Sequence, residues 1–257
     1  MPVLVGTSGW QYASWKGRFY PADLRQRDWL EYYAERFQVV EVNNAFYRLP
    51  EAKTFAGWAE RTPDDFVVVV KASRYLTHVK RLADPAEPVS RFLERATQLG
   101  RKLGPVLLQL PPNLAADPER LDAALARFPR EVRVTVEFRH PSWFTEETKC
   151  LLERRGVALC LADSPRRQTP AWRTAPWGYL RLHEGKASPH PCYGRQALDT
   201  WARRLAELWG PADDVYVFFN NDGGACAVRD AAVFARGAKR AGLQPTRVPE
   251  AGEVTVG

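Results

Sequence analysis

Residues 133–143, RVTVEFRHPSW, begin as a β-strand and end in ionisable side chains just before a proline. The apolar part of this stretch is typical of a strand that is buried on both faces, as in a parallel sheet. An ionisable end is unexpected for such a strand unless that end lies in solvent or belongs to a site. Whether other strands of the chain end in the same way therefore decides between these two explanations.

Seven further short runs rich in apolar and β-branched residues occur along the chain. Near-continuous apolar runs of this length are typical of parallel strands. The runs are VLVGTS (3–8), VVEVNN (39–44), FVVVVKAS (66–73), VLLQL (106–110), VALCLAD (157–163), GYLRLH (178–183) and VYVFFNND (215–222). Together with the opening stretch they give eight predicted strands.

Segments with the period of an amphipathic helix lie between most of these strands. Asp117 is a predicted helix N-cap with Pro118 at the first helical position, and Gly156 is a predicted helix stop. Residues 164–177, SPRRQTPAWRTAPW, are rich in proline and lack the helical period. The segments predicted as helical are 27–37, 88–104, 117–128, 146–156, 195–210 and 229–242.

Eight strands with helical crossovers in 257 residues predict an α/β fold, a TIM (β/α)8 barrel. We expect one domain over residues 1–257, with one crossover helix replaced by a loop. A doubly wound open sheet is the alternative. It is disfavoured because it normally has fewer strands, and because no GxGxxG motif follows the first strand.

The composition of the chain limits which cellular locations and which binding partners we expect for the protein. No run of about 18 apolar residues occurs, so the sequence predicts no membrane span. The N-terminus reads as a strand rather than a signal peptide, and the four cysteines form no CxxC pair, so we expect reduced thiols in the cytoplasm. The net charge of +7 fits either charges scattered on helices or an anionic partner.

Polar side chains occur at every predicted strand end. Side chains of a barrel strand alternate between the lumen and the helix layer, and catalytic groups lie at the C-terminal ends of the strands. Charged groups brought together at one rim indicate a ligand site, although a self-contained network of ion pairs is the structural alternative. The catalytic candidates are Glu137, His183 and Asp163, and the substrate-binding candidates are Glu41, Asn43, Lys71, Gln109, Arg139, Arg181 and Asn220.

Two chemistries could use the carboxylates of this set. A pair of carboxylates can hydrolyse glycosides, but strands four and seven offer Gln109, Arg181 and His183 rather than the acids of common barrel glycosidases. A divalent metal is possible, since carboxylates and imidazoles are suitable ligands. No HxH or HExxH motif requires a metal, so the cofactor stays unknown. The candidate metal ligands are Glu41, Glu137, Asp163 and His183.

The cationic residues favour a third chemistry, which is the binding of a small polar or anionic substrate. Lys71, Arg139 and Arg181 carry positive charge, and a guanidinium holds a phosphate or carboxylate with two parallel hydrogen bonds. His183 is the strongest single candidate for proton transfer, because imidazole titrates near neutral pH. A hydrogen-bonded core histidine is the alternative role for this residue.

Several strand-end motifs occur together in a fixed order. They are GTSGW (6–10), VEVNNAFYRLP (40–50), KASRYLTH (71–78), LLQLPP (107–112), VEFRHPSW (136–143), YLRLH (179–183), FFNND (218–222) and AVRDA (227–231). Taken together, they resemble the domain of unknown function 72 family, the YecE-like proteins. The resemblance implies a TIM barrel with a pocket at its rim, and it supplies no reaction and no catalytic residue.

The sequence therefore predicts a YecE-like TIM-barrel enzyme of hydrolase or isomerase type. We expect it to act on a polar, anionic substrate at the C-terminal rim of the barrel. The alternative is a non-catalytic protein that binds nucleic acid or another anionic ligand. Nucleic-acid binding is not favoured, since it would need a continuous basic stripe around the mouth.

Overall fold

Eight parallel strands form a closed barrel with helices outside it. The computed structural model describes residues 1–165 and 167–256. The barrel strands follow one another in chain order, and the ring closes where the last of them pairs with the first along residues 3–7 and 215–219. This is the TIM barrel that the apolar runs predict. The domain prediction includes Arg166 and Gly257, which lie outside the described residues, and it stays a prediction.

The barrel strands and two short additional strands are bounded as follows. They are β1 (Pro2–Thr7), β2 (Val39–Val42), β3 (Val67–Lys71), β4 (Leu103–Gln109), β5 (Val134–Glu137), β6 (Ala158–Ser164), β7 (Arg167–Gln168), β8 (Trp177–Leu182), β9 (Asp214–Phe219) and β10 (Gln244–Pro245). The two short ones, β7 and β10, pair with β6 in antiparallel and with β1 in parallel orientation, outside the ring.

The helices begin and end near the boundaries that the capping residues predict. Asp117 Oδ1 accepts a hydrogen bond from Arg120 N at 3.0 Å, and Gly156 ends its helix at a φ of 64°. That left-handed conformation favours glycine because no Cβ is present. The α-helices are α1 (Trp29–Arg36), α2 (Asn44–Tyr47), α3 (Ala52–Glu60), α4 (Ala86–Ala96), α5 (Pro118–Leu125), α6 (Glu146–Arg155), α7 (Arg195–Leu208) and α8 (Cys226–Arg240).

Two crossovers depart from the regular strand–helix alternation. The described residues between β6 and β8 contain no helix, which confirms the predicted loop crossover. The connection between β2 and β3 contains α2 and α3, which the sequence analysis did not predict. Nine-residue α3 has no side-chain N-cap and buries only Phe55 and Trp58, so its sequence signal is weak.

Side chains of the barrel strands separate into two apolar layers. The lumen is filled by Leu4, Val39, Val69, Leu107, Cys160, Tyr179 and Phe218. Residues of the opposite parity, such as Val5, Val40 and Val70, belong to the larger core between the strands and the helices. A residue two positions after a lumen residue therefore faces the mouth, and this spacing determines which polar side chains can meet there.

The cysteines correct one prediction. Cys192 and Cys226 form a disulfide that joins the loop after β8 to the start of α8, whereas Cys150 and Cys160 are free. The expectation of reduced thiols is therefore wrong for the first pair, because the chain fold brings together residues that are 34 positions apart. The cytoplasmic location stays a prediction. Within the described residues, none of the helices has the length and apolar character that a membrane span requires.

Candidate functional site

Five strands place polar side chains at one level above the filled lumen. Glu41, Lys71 and Arg181 each lie two residues after a lumen residue, and Gln109 pairs with Glu137 in register between β4 and β5. All five side chains are buried. The strand ends thus form the floor of the barrel mouth, which we define by these five residues.

Arg181 occupies the centre of this floor. Its Nη2 lies 2.7 Å from Glu41 Oε1 and its Nη1 lies 2.5 Å from Glu137 Oε2. Only 1% of Arg181 and none of either carboxylate is exposed to solvent. Burial opposes ionisation, but the two carboxylates outweigh it and raise the pKa of Arg181 well above its usual value. The ion pairs thus offset the cost of desolvating three charges.

Tyr179 binds the second carboxylate oxygen of Glu41. Its hydroxyl donates to Glu41 Oε2 at 2.5 Å. Burial and the adjacent Glu41 carboxylate raise the pKa of Tyr179 well above its usual value, so the hydroxyl remains a donor. The sequence analysis missed Tyr179, although its position two residues before Arg181 was a signal that the two side chains share a face.

Glu137 is held as a carboxylate by several donors. Gln109 Nε2 donates to its Oε1 at 3.0 Å and Arg139 Nε donates to the same oxygen at 3.2 Å. Burial raises the pKa of Glu137, but Arg181, followed by His183 and Arg139, outweighs burial and holds this pKa well below its usual range. Glu137 is therefore ionised over the whole neutral range.

His183 connects Glu137 to the last barrel strand. Its Nε2 lies 3.4 Å from Glu137 Oε1, and Asn220 Nδ2 lies 3.1 Å from its Nδ1. An amide nitrogen can only donate, so Nδ1 accepts and the proton of the neutral ring is on Nε2. A cavity of about 440 Å³ opens beside this ring, bordered by His183, Asn220, Asp222 and Glu184 among others. His183 can therefore reach a bound molecule.

Some buried polar atoms at the mouth have no partner among the residues that the structure describes. They are Ser8 Oγ, Asn43 Oδ1 and Arg181 Nε, whereas His183 Nε2, which also forms no hydrogen bond to a described residue, lies 3.4 Å from Glu137 Oε1. Asn43 Nδ2 donates to Ser8 O at 3.2 Å, which holds the ends of β1 and β2 together. A buried polar atom without a hydrogen bond costs about 1–3 kcal/mol. Such atoms at neighbouring strand ends are a reason to expect a bound polar molecule there.

Lys71 lies at the mouth against an aromatic ring. Its Nζ is 4.0 Å from the ring centroid of Phe46, and the imidazole of His78 packs edge-on against the same ring. Burial and the charge of Arg181 lower the pKa of Lys71 to about 8, while Glu41 and Glu137 act in the opposite direction. Lys71, unlike Arg181, is thus a cation with incomplete charge compensation.

Asp163 does not join this set, so the expectation that it lies in the mouth is wrong. Trp201 Nε1, on α7, donates to Asp163 Oδ2 at 2.8 Å. The reason is strand parity, since Cys160 faces the lumen and Asp163, three residues later, faces the helix layer. Its side chain borders a separate cavity of about 790 Å³ between β6 and α7.

The candidate metal ligands do not form a metal site. The carboxylates of Glu41 and Glu137 are bound to Arg181, and Asp163 lies on the opposite face of its strand. Within residues 1–165 and 167–256, no three His, Cys, Asp or Glu side chains are grouped to hold an ion. The residues present therefore do not fit a divalent metal, and we derive no step through one.

A family model described as "Protein of unknown function DUF72" matches residues 4–253. The chain belongs to this family. The resemblance inferred from the strand-end motifs is thereby confirmed, because the match spans nearly the whole chain.

Curated relatives of this DUF72 chain carry the family name UPF0759. The YunF protein of Bacillus subtilis is 26% identical over 260 residues, covering 88% of this chain and 90% of YunF. The YecE protein of Escherichia coli K12 is 32% identical over 170 residues, covering 63% of this chain and 59% of YecE.

Solved DUF72 structures have the same fold. A DUF72 protein from Thermotoga maritima is 29% identical, with a TM-score of 0.82 over 93% of this chain and 100% of that chain. Another from Enterococcus faecalis is 20% identical, with a TM-score of 0.78 over 92% of this chain and 95% of that chain. At that identity the second comparison supports the fold alone.

Proposed function

We propose that this DUF72 chain is an enzyme that binds a small polar anion at the barrel mouth and transfers a proton at His183. The observation that carries the proposal is the group of buried, unpartnered polar atoms at the strand ends. Ser8 Oγ, Asn43 Oδ1 and Arg181 Nε belong to residues at or next to the ends of three strands, β1, β2 and β8. Their desolvation would be offset by hydrogen bonds to a substrate.

The charges at the mouth favour an anion. Around the floor, three cations, Lys71, Arg139 and Arg181, outnumber two carboxylates, Glu41 and Glu137. Glu184 and Asp222 border the cavity beside His183, so the anionic group would bind on the side of Arg139. Arg139 donates to Glu137 through Nε, and within the described part of the chain no residue accepts from its Nη atoms. Its guanidinium is therefore free to bind a substrate phosphate or carboxylate.

We assign each mouth residue a role in the reaction according to how accessible its side chain is to a bound substrate. His183 is 13% exposed and its ring borders the cavity, so it is the group that we assign to donate a proton to, and later accept one from, a substrate. Glu137 is inaccessible and its pKa is held low, so we assign it the positioning of His183 rather than proton transfer. Asn220 fixes the ring tautomer, and Gln109 and Asn43 support the mouth.

Hydrolysis and isomerisation both use such a proton carrier beside an anion-binding group. Hydrolysis would require water in the cavity beside His183, whereas isomerisation would move a proton between two atoms of one substrate. We propose these two reaction classes, and a substrate screen separates them because only hydrolysis splits the substrate into two products.

The test is a screen of small anionic metabolites with purified protein, read by mass spectrometry. We expect at least one phosphorylated or carboxylated compound to be converted by the wild-type protein and not by the His183→Asn variant. His140→Asn is the matched control, since His140 caps residues 141–143 through Ser142 and contributes no group to the floor. Both variants should retain the wild-type circular dichroism spectrum.

Contrary results would favour the binding alternative. If no compound of the panel is converted while a polynucleotide binds with an affinity that falls steeply with salt, the enzyme proposal is wrong. Loss of that binding in an Arg139→Gln variant would then assign the same mouth to a non-catalytic anion site.

A further inference from the structure

Buried Lys71 differs from half-buried Lys102 in its hydrogen bonding. Lys102 Nζ donates to Ala59 O at 2.5 Å and to Thr62 O at 2.6 Å, so its ammonium form is held in place. Lys71 is 8% exposed, and within the described residues its Nζ forms no hydrogen bond or ion pair. Its Nζ instead lies 4.0 Å from the centroid of the Phe46 ring. Hydrogen bonds therefore do not hold Lys71 in its ammonium form, although this ring contact and the carboxylates of Glu41 and Glu137 favour that form.

The electrostatic surroundings of Lys71 favour the neutral amine. Burial is the largest effect and the charge of Arg181 is the next, and together they bring the pKa of Lys71 to about 8. Arg139 adds to this lowering, whereas Glu41 and Glu137 oppose it. A desolvated lysine next to another cation is an activated nucleophile. At pH 7.5 its neutral fraction exceeds that of an ordinary lysine roughly a hundredfold.

The neutral imidazole of His78 lies near the amine of Lys71. The rings of His78 and Phe46 have centroids 4.9 Å apart, so His78 and Lys71 contact the same ring. Burial, followed by the charges of Lys71 and Arg139, lowers the pKa of His78 to about 4. Thr77 Oγ1 lies 2.9 Å from His78 Nδ1 and orients the imidazole. His78 is therefore a neutral imidazole at neutral pH, which can relay a proton between two atoms without keeping it.

We propose that Lys71 is a nucleophile that condenses with the aldehyde or ketone group of a substrate carrying a phosphate or carboxylate. The inference rests on the proposed function, since Arg139 supplies the site for the anionic group. It extends that function by assigning the substrate class and a covalent intermediate to the mouth.

The condensation needs no further reactant. The lone pair of Lys71 Nζ forms a bond to the carbonyl carbon, and the C=O π pair moves to oxygen, which takes a proton from the nitrogen through His78. The nitrogen then forms the C=N bond as the C–O bond breaks. Both protons of the neutral amine leave in one molecule of water, and the product is an imine.

The test is reductive trapping on the wild-type protein. The protein is incubated with dihydroxyacetone phosphate or pyruvate at pH 7.5, treated with sodium borohydride, digested and mapped by mass spectrometry. We expect the peptide that contains Lys71 to carry the adduct at least tenfold more often than peptides that contain Lys102 or the exposed Lys16. Uncharged dihydroxyacetone, the matched probe, should label Lys71 at least tenfold less than its phosphate does. The adduct should be absent from a folded Lys71→Met variant.

The outcomes separate this inference from the proposed function. If inorganic phosphate binds at the mouth by calorimetry but no probe labels Lys71 selectively, the imine is wrong and the anion site remains. If the charged and uncharged probes label Lys71 equally, the anionic substrate class is wrong. Because the mapping uses the wild-type protein, these conclusions do not depend on the folding of the variant.

Discussion

Arg181 and Glu137 form an ion pair at the centre of the barrel, with 2.5 Å between Nη1 and Oε2 and almost no contact with solvent. The same guanidinium binds Glu41, so one cation bridges two carboxylates from β2 and β5. Removing one partner of a buried ion pair leaves an uncompensated charge, which costs far more than the loss of an exposed pair.

Replacement of Arg181 by methionine should destabilise the fold strongly. Glu41 and Glu137 would lose the cation that bridges them, and of the described cations only Arg139 would remain paired with Glu137. We expect the free energy of unfolding to fall by about 3–5 kcal/mol. Urea unfolding followed by circular dichroism measures this loss. The control is Arg155→Ala, which breaks the exposed pair with Asp122 and should cost less than about 1 kcal/mol. Equal losses in the two variants would contradict the buried network.

The pH dependence of stability should report the ionisation of Glu137. Its folded-state pKa is lowered, so the unfolded state takes up the proton more readily and acid favours unfolding. This contribution is fully present above the ordinary pKa of a glutamate and is lost as pH falls below about 4.5 towards the folded-state value. A plot of unfolding free energy against pH should therefore be shallower between pH 3 and 5 for Glu137→Gln than for the wild type. Identical slopes would show that Glu137 does not titrate in this way.

The tautomer of His183 gives a spectroscopic prediction. Asn220 Nδ2 donates to Nδ1, so ¹⁵N spectra of the imidazole should show the proton on Nε2 in the neutral ring. Asn220→Asp replaces that donor by a carboxylate acceptor and should favour a doubly protonated ring at neutral pH. Asn220→Ala, which removes the donor without adding charge, is the control. A spectrum of Asn220→Asp that matches the wild type would contradict the contact.

The disulfide between Cys192 and Cys226 predicts how many thiols of the protein react with a thiol reagent. In denaturant without reductant we expect two reactive thiols, from Cys150 and Cys160. The cross-link closes a loop of 34 residues, so its reduction should lower the unfolding free energy by about 3–4 kcal/mol. The Cys150→Ser variant, which leaves the bond intact, should keep the wild-type stability. Four reactive thiols before reduction would mean that Cys192 and Cys226 are not paired.

The sequence was informative about the barrel because strand burial and strand spacing are local properties. The spacing of two residues also brought Glu41, Glu137 and Arg181 to one face, as the ion pairs confirm. Asp163 was misplaced because it was chosen as the polar residue at the end of β6, whereas parity with Cys160 places it on the helix side.

Other features depend on tertiary contacts that no local pattern encodes. The disulfide requires the loop after β8 to meet the start of α8. The environment of Lys71 depends on where α2 places Phe46, and helix α2 has only four residues. Such contacts between loops follow from the closed ring rather than from residue spacing. The rim could therefore be predicted from the sequence, but the partner of each rim residue could not.

The most direct test of an anion site at the barrel mouth is a crystal structure of the protein soaked with inorganic phosphate. We expect phosphate density within hydrogen-bond distance of Arg139 and His183, and no such density at this position in an Arg139→Gln crystal. Phosphate found only at the outer helices, with the mouth unchanged between the two proteins, would contradict it.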